Sequence, residues 1–216
     1  MKNFVVTIAR GFGSGGKEIG TKLADRFGIP CYERQILKLA SDASGLNESL
    51  FAQIDERIRG NVLAKKLTGI SFHRVAEPQD KHFESDRNLY NIQAEIIRRL
   101  ADTTSCVILG KAADYVLKDY DNVVSFYIEA PRAACVKSIM NKMKVSESEA
   151  HKLIRKTDKY RADYYRYYTG GNYWTNPVNY HMTLNSDKIG RDQCVDVMES
   201  YIRYKFGLQP AVHTEN

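Results

Sequence analysis

The feature that restricts this chain most lies near its N-terminus, where Phe4-Val5-Val6-Thr7-Ile8-Ala9 leads into Gly11-Phe12-Gly13-Ser14-Gly15-Gly16-Lys17. The first segment is apolar or β-branched almost throughout, the pattern of a strand covered on both faces in a parallel sheet. Beyond the turn, Ile19, Leu23 and Phe27 fall at every fourth position with Ala24 beside them, and the stripe stops at Gly28 and Pro30. That spacing predicts a helix of about three turns. The turn itself fits G-x-x-x-x-G-K in the strand-to-helix setting that gives the pattern its meaning. Glycines allow successive N–H groups to converge on phosphate oxygens, the helix start adds its positive dipole end, and Lys17 reaches the outer phosphates. Gly11, Gly13, Ser14, Gly15, Gly16 and Lys17 are therefore the expected nucleotide-binding residues. A flexible glycine turn with a solvated lysine is the plain alternative, and the flanking strand and helix weigh against it. Glu18 stands where such loops usually carry the Ser or Thr that joins a magnesium shell. A carboxylate there is expected to face away from phosphate and to offset the helix dipole.

Further along, helical spacing is expected over Glu33 to Ala43, and Asn47 is placed to cap a segment with Leu50, Phe51 and Ile54. From Gly60 to Asp86 periodicity fades, so an irregular surface excursion is expected there. A helix follows with Leu89, Ile92, Ile96, Ile97 and Leu100, then strands at Ser105 to Leu109 and Val123 to Ile128. Pro131 sits near the start of a helix bearing Cys135, Val136 and Ile139, and Ser146 with Glu149 makes the S-x-x-E signature of another helix start. That helix should reach Tyr168, ahead of a short strand at Tyr180 to Leu184 and a last helix with Val195, Met198 and Ile202. Strands alternating with helices imply right-handed crossovers and a mostly parallel sheet covered on both faces.

A chain of 216 residues, 43% hydrophobic and 27% charged, is long enough to bury a core as one folded domain without disulfides or a structural metal. Cys31, Cys106, Cys135 and Cys194 are scattered without C-x-x-C spacing, and the histidines form no H-x-x-x-H, so no metal ligands are assigned. The cysteines read as reduced core thiols. Apolar runs stay far below the approximately 20 residues of a membrane span, and no signal-cleavage pattern follows Met1, so the expected address is cytoplasmic with no membrane partner. The net charge of +6 favours anionic ligands and does not choose between nucleotides and nucleic acid.

Four segments in order, ARGFGSGGKEIG, IPCYERQIL, CVILGKAADYVL and TDKYRADYYRYYTG, resemble the cytidylate kinase-like family, a divergent branch of the P-loop nucleoside monophosphate kinases. The resemblance covers nearly the whole chain. It implies an α/β, P-loop NTPase-like three-layer fold with a five-stranded mostly parallel sheet and a helical lid. It implies one domain over residues 1–216, with an acceptor-binding and irregular insertion over about 33–104 and the lid over about 146–176. Transfer of the ATP γ-phosphoryl group to CMP, dCMP or a related acceptor is the implied activity, with Lys17 and Arg161 as catalytic residues. Mg²⁺ would be held mainly by the nucleotide and water.

On this resemblance Glu33 falls where the acceptor is held, although alone it reads equally as a carboxylate in the first turn of a helix. Lys111 stands where the family has Arg, keeping the charge and losing the bidentate fork. In closer cytidylate kinases an Asp follows that residue, and here Ala112 and Ala113 intervene before Asp114. Asp158 and Arg161 match the D-x-x-R of the lid and share one helical face with Tyr165, with Arg155 one turn earlier; Arg155, Asp158 and Arg161 are the substrate-binding candidates of this helix. Without the resemblance, Asp158 and Arg161 read as an exposed ion pair worth at most about 0.5 kcal/mol. Two rival functions remain open: nucleotide binding without efficient transfer, and single-stranded nucleic-acid binding by the basic helix. Seven tyrosines lie between Tyr160 and Tyr180 beside Trp174, and such rings either stack bases or simply pack the helix. Nucleotides are the expected partners, and oligomeric state is not readable.

Overall fold

The computed structural model describes residues 3–51 and 86–209. Strand β1 (Val5–Arg10) leads through the glycine loop to helix α1 (Gly16–Phe27), then to β2 (Cys31–Tyr32) and α2 (Gln35–Ser44). Helix α3 (Asp86–Thr103), β3 (Cys106–Leu109), the single turn α4 (Ala113–Val116), β4 (Val123–Glu129) and α5 (Arg132–Met143) follow. The chain continues with α6 (Glu147–Tyr168), β5 (Met182–Asn185), the short α7 (Ser186–Ile189) and α8 (Arg191–Phe206).

The strands form one five-stranded sheet in the order β2-β3-β1-β4-β5, every pair parallel, so the sheet is parallel throughout. Side chains alternate across it with the period of two that strands impose. Val5 and Ala9 of β1 face the cluster shared with α2, α3 and α6, whereas Val6 and Ile8 face the one shared with α1 and α8. β4 divides likewise, Val123 and Tyr127 to the first face and Phe126 and Ile128 to the second. Burial on both faces explains why these strands read as unbroken apolar runs.

Helix ends follow local chemistry. α1 stops at Gly28, which is left-handed (φ 62°) and donates its N–H to Ala24. α6 starts where Ser146 accepts from the Glu149 N–H at 3.3 Å, as its S-x-x-E pattern predicts. α2 begins two residues after Glu33, so that carboxylate lies ahead of the helix rather than in its first turn. Asn47 caps a helical segment through the Ser49 N–H at 2.9 Å. Ile54 and nearly all of the stretch expected to be irregular, Gly60 to Asp86, lie outside the described residues; Asp86 opens α3. All four cysteines are free thiols; Cys106, Cys135 and Cys194 are buried as core residues, whereas Cys31, on the edge strand β2, is only partly buried. No helix among the described residues is long and apolar enough to cross a membrane.

In this sheet the chain runs outward from β1 to β2, returns through β3, and crosses to β4 on the other side of β1. The strand order therefore reverses at β1, and a crevice at the carboxyl end of such a reversal is where open α/β sheets hold ligands. The glycine loop sits at that end.

Candidate active site

The loop from Gly11 to Gly15 is fixed by backbone. Gly11 donates to Ile128 O at 3.0 Å, extending the β1–β4 pairing by one rung, and Ser186 Oγ donates to Ser14 O at 2.6 Å. Ser14 Oγ closes the turn on Gly11 O at 2.9 Å. Gly13 adopts φ +98°, and a Cβ there would come within 2.7 Å of the Cys135 carbonyl oxygen, so the loop packs against α5 in a way only glycine permits. α1 opens at Gly16, and its first-turn amides have no intrahelical acceptor. Gly15, at the cap position, offers no side-chain bond to them. Glu18 leaves this end open: it pairs with Arg191 at 2.5 Å and Lys22 at 3.1 Å, facing away as the sequence predicts. Gly11, Gly13, Ser14, Gly15, Gly16 and Lys17 thus form one structural unit.

Beside the loop, Glu33 bridges two cations, with Oε1 2.5 Å from Arg10 Nη2 and Oε2 2.6 Å from Lys17 Nζ. Burial raises the proton affinity of Glu33, but Lys17 and Arg10 outweigh it and hold the carboxyl below its ordinary range. α6 joins the loop from above. Asp158 Oδ1 accepts from Phe12 N at 2.8 Å, and Arg161 Nη1 donates to Arg10 O at 2.7 Å. The ion pair between Asp158 and Arg161 exists at 3.5 Å, yet their side chains are only 28% and 20% exposed and both are engaged by loop backbone. This is a different environment from that of a solvated helix face. Burial pushes the Arg161 pKa down to about 10, with the charge of Arg10 contributing.

These groups surround a cavity of about 510 Å³ whose walls include Arg10, Glu33, Lys111, Asp114 and Arg161, with Tyr160, Tyr164, Tyr165 and Trp174 on the side of α6. Lys111 reaches it from a turn in which Gly110, Lys111 and Ala112 are all left-handed, at φ 74°, 60° and 50°. For the two non-glycine residues this conformation costs roughly 1–2 kcal/mol each, strain of the kind that accumulates at ligand sites. Arg155 lies three residues before Asp158 on α6, is exposed, and does not line this cavity. On the other side of the loop a cavity of about 290 Å³ is lined by Gly13, Ser14, Lys137, Ser138, Asp187 and Arg191. Of the seven clustered tyrosines, Tyr164, Tyr165, Tyr168 and Tyr180 are buried, while Tyr173 is exposed.

Three residues with no expected role are found here. Arg10 passes for the last residue of a strand. Glu129, ending β4, accepts the Tyr127 hydroxyl and packs so closely on Gly11 that a Cβ there would collide with it. Asp114 supplies a buried carboxylate three positions after Lys111, because the left-handed turn swings it into the wall, where Tyr165 OH donates to it at 2.7 Å. Its displaced position in the sequence was the only signal.

Burial raises the Asp114 pKa to about 6 despite the bonds from Tyr165 and nearby amides. The folded state therefore binds this proton more tightly than the unfolded chain, whose aspartates titrate near about 3.9. The resulting contribution to stability is complete below that lower value and is lost as pH rises through about 6. Asp114→Asn removes the titration. The stability of the native chain minus that of the variant, from urea unfolding, should fall by about 2–3 kcal/mol between pH 4 and pH 8. A difference that stays flat with pH contradicts this assignment.

Comparison with known proteins agrees with this architecture. The solved structure of an uncharacterized protein from Eubacterium ventriosum ATCC 27560 is similar at a TM-score of 0.67 and 24% identity, covering 93% of this chain and 98% of that one. Shikimate kinase from Bacteroides thetaiotaomicron aligns at 0.48 and 10% identity, over 95% and 99% of the two chains. A sugar kinase from Janibacter sp. HTCC2649 aligns at 0.48 and 17%, over 99% of each. No curated protein matches the sequence. The model of the cytidylate kinase-like family matches residues 5–188, a span that includes the loop, Glu33, Lys111 and the whole of α6. With a parallel five-stranded sheet, a glycine loop between β1 and α1, and a family match over most of its length, the chain belongs to the cytidylate kinase-like family.

Proposed function

We propose that this protein transfers the γ-phosphoryl group of ATP to CMP, dCMP or a related acceptor, in the cytoplasm. The observation that carries the reading is the position of Lys17: it sits at the mouth of a loop with open helix-start amides, and Glu33 ties it to the wall of a cation-lined cavity of about 510 Å³. A donor phosphate chain in the loop and an acceptor in that cavity meet at Lys17. The cavity of about 290 Å³ beyond Ser14 is the space for the donor's base.

The catalytic demand in phosphoryl transfer is to align the two oxygens and to spread positive charge around the migrating group. Loop amides and Lys17 would hold the donor, and Lys111 and Arg161 would neutralise charge on the acceptor side. An acceptor phosphate is already a nucleophile, so no general base is required. Glu33 and Asp158 would orient the acceptor and α6, respectively, while Arg155, exposed one turn away, would meet ligand only from the cavity rim. Among the described residues no cluster of three or more His, Cys, Asp or Glu is placed to hold a metal ion. Mg²⁺ fits this site carried by the nucleotide phosphates and water, where it would supply charge neutralisation between the phosphates.

The test is product formation from ATP with CMP, dCMP, UMP, AMP and small hydroxyl-bearing metabolites, each resolved by anion-exchange chromatography. CDP or dCDP is the expected product. ATP binding without any phosphorylated product across this panel would instead establish a nucleotide-binding protein without transfer.

A further inference from the structure

Arg10 stands out among groups that the proposed reaction does not use. Its side chain is only 11% exposed, yet its guanidinium, with five N–H donors, has a single acceptor among the described residues, Glu33. Arg10 lines the cavity of about 510 Å³. Space for it is built in. Gly110 is left-handed, and a Cβ at that position would collide with Arg10 Nη1, while a Cβ at Gly16 would meet the Arg10 Cβ at 2.5 Å. Arg161, fastened to the Arg10 carbonyl, borders the same cavity and has Asp158 as its one carboxylate partner among the described residues. Two guanidinium groups are thus gathered in a largely water-excluded corner, an arrangement that costs energy unless an anion is shared. Glu33 already shows the preferred occupant, since it places one carboxylate between Arg10 and Lys17.

We infer that Arg10 determines acceptor specificity by gripping an oxyanion of the acceptor, a phosphate or a carboxylate, with its guanidinium, Glu33 yielding its place on Arg10 to that oxyanion while it orients the rest of the acceptor. The inference deepens the proposed phosphotransfer and rests on it for the word acceptor, although the oxyanion site itself can be observed without turnover. Planar, bidentate recognition suits Arg and not Lys. A neutral nucleoside or sugar lacking such a group gains nothing from this corner.

The experiment follows the Arg10 Nε–Hε resonance, identified by its absence in Arg10→Lys, while the full-length protein is titrated with inorganic phosphate and, separately, with acetate. A saturable shift is expected. By isothermal titration calorimetry, which reads every variant, Arg10→Gln should weaken the anion's binding by about tenfold or more, Arg10→Lys by a smaller factor, and Glu33→Gln should strengthen it by about threefold or more. The opposite signs separate a binding role from mere structural support, and Arg10→Lys and Glu33→Gln keep the test decisive if Arg10→Gln does not fold. A stronger response to phosphate assigns a phosphorylated acceptor, and a stronger response to acetate assigns a carboxylate. No shift of Arg10 with either anion, or unchanged affinity in the variants, overturns the inference. A parallel titration with a non-hydrolysable ATP analogue reads the amides of Gly15 to Lys17. Their silence would refute the kinase reading while leaving the Arg10 result standing.

Discussion

Lys17→Ala should reduce ATP-dependent phosphotransfer by about a hundredfold or more while leaving the fold intact. Removing a preorganised charge at a reacting phosphate costs rate on that scale, because such a group acts where negative charge develops. Stability is a separate matter. The Lys17 side chain is 62% exposed and its one partner among the described residues is Glu33, so the pair belongs to the class of surface ion pairs worth at most about 1 kcal/mol. The measurement is steady-state formation of ADP and phosphorylated acceptor, beside a thermal melt of the same preparation. Unchanged turnover would remove Lys17 from the reaction, and a collapsed melt would show a structural role that its exposure contradicts.

The largest expected loss of stability lies at Tyr168, in the last turn of α6. This ring is fully buried, stacks on Tyr90 with centroids 3.8 Å apart at 11°, and meets Tyr164 and Tyr167 at 4.8 Å each. Truncating a buried aromatic removes both its transfer energy and its contacts, about 3–5 kcal/mol when the surroundings cannot collapse. For a chain of this size each kcal/mol moves the melting midpoint by about 2–4 °C, so Tyr168→Ala should melt roughly 10 °C lower. Tyr168→Phe keeps the ring and should recover most of the difference. Calorimetry decides it, and a midpoint for the alanine variant within a few degrees of the native one would mean that the tyrosine stack contributes little. The same stack anchors the helix that carries Tyr164 and Tyr165 to the cavity wall, so stability and ligand affinity should fall together.

Much of this arrangement was legible in the sequence because long, periodic segments carry their own instructions. β1, the loop, α1, α3 and α8 follow from apolar spacing and glycine placement alone. β2 does not: Cys31 and Tyr32 are too few to show alternation and become a strand only by pairing with Val107 and Ile108. The spacing of Asp158 and Arg161 placed them on one helical face but could not name their targets, Phe12 N and Arg10 O, about 150 residues away. Glu33 looked like a helix-start carboxylate because the apolar pattern of α2 extends back toward it, whereas tertiary contact makes it a bridge. In the sequence Asp114 stands two positions too late, and what brings it to the site is the left-handed conformation of Lys111 and Ala112, which L-residues seldom adopt and no composition rule foretells.

The two bonds from α6 to the start of the glycine loop have a thermodynamic corollary. Asp158 holds the residue just after Gly11 and Arg161 the residue just before it, so the rod and the loop cannot shift independently. Whatever tightens or loosens that joint on one side changes the free energy of occupancy on the other, and by reciprocity the factor is the same in both directions. Donor and acceptor affinities in this protein should accordingly be measured together, since each is defined only for a stated concentration of its counterpart.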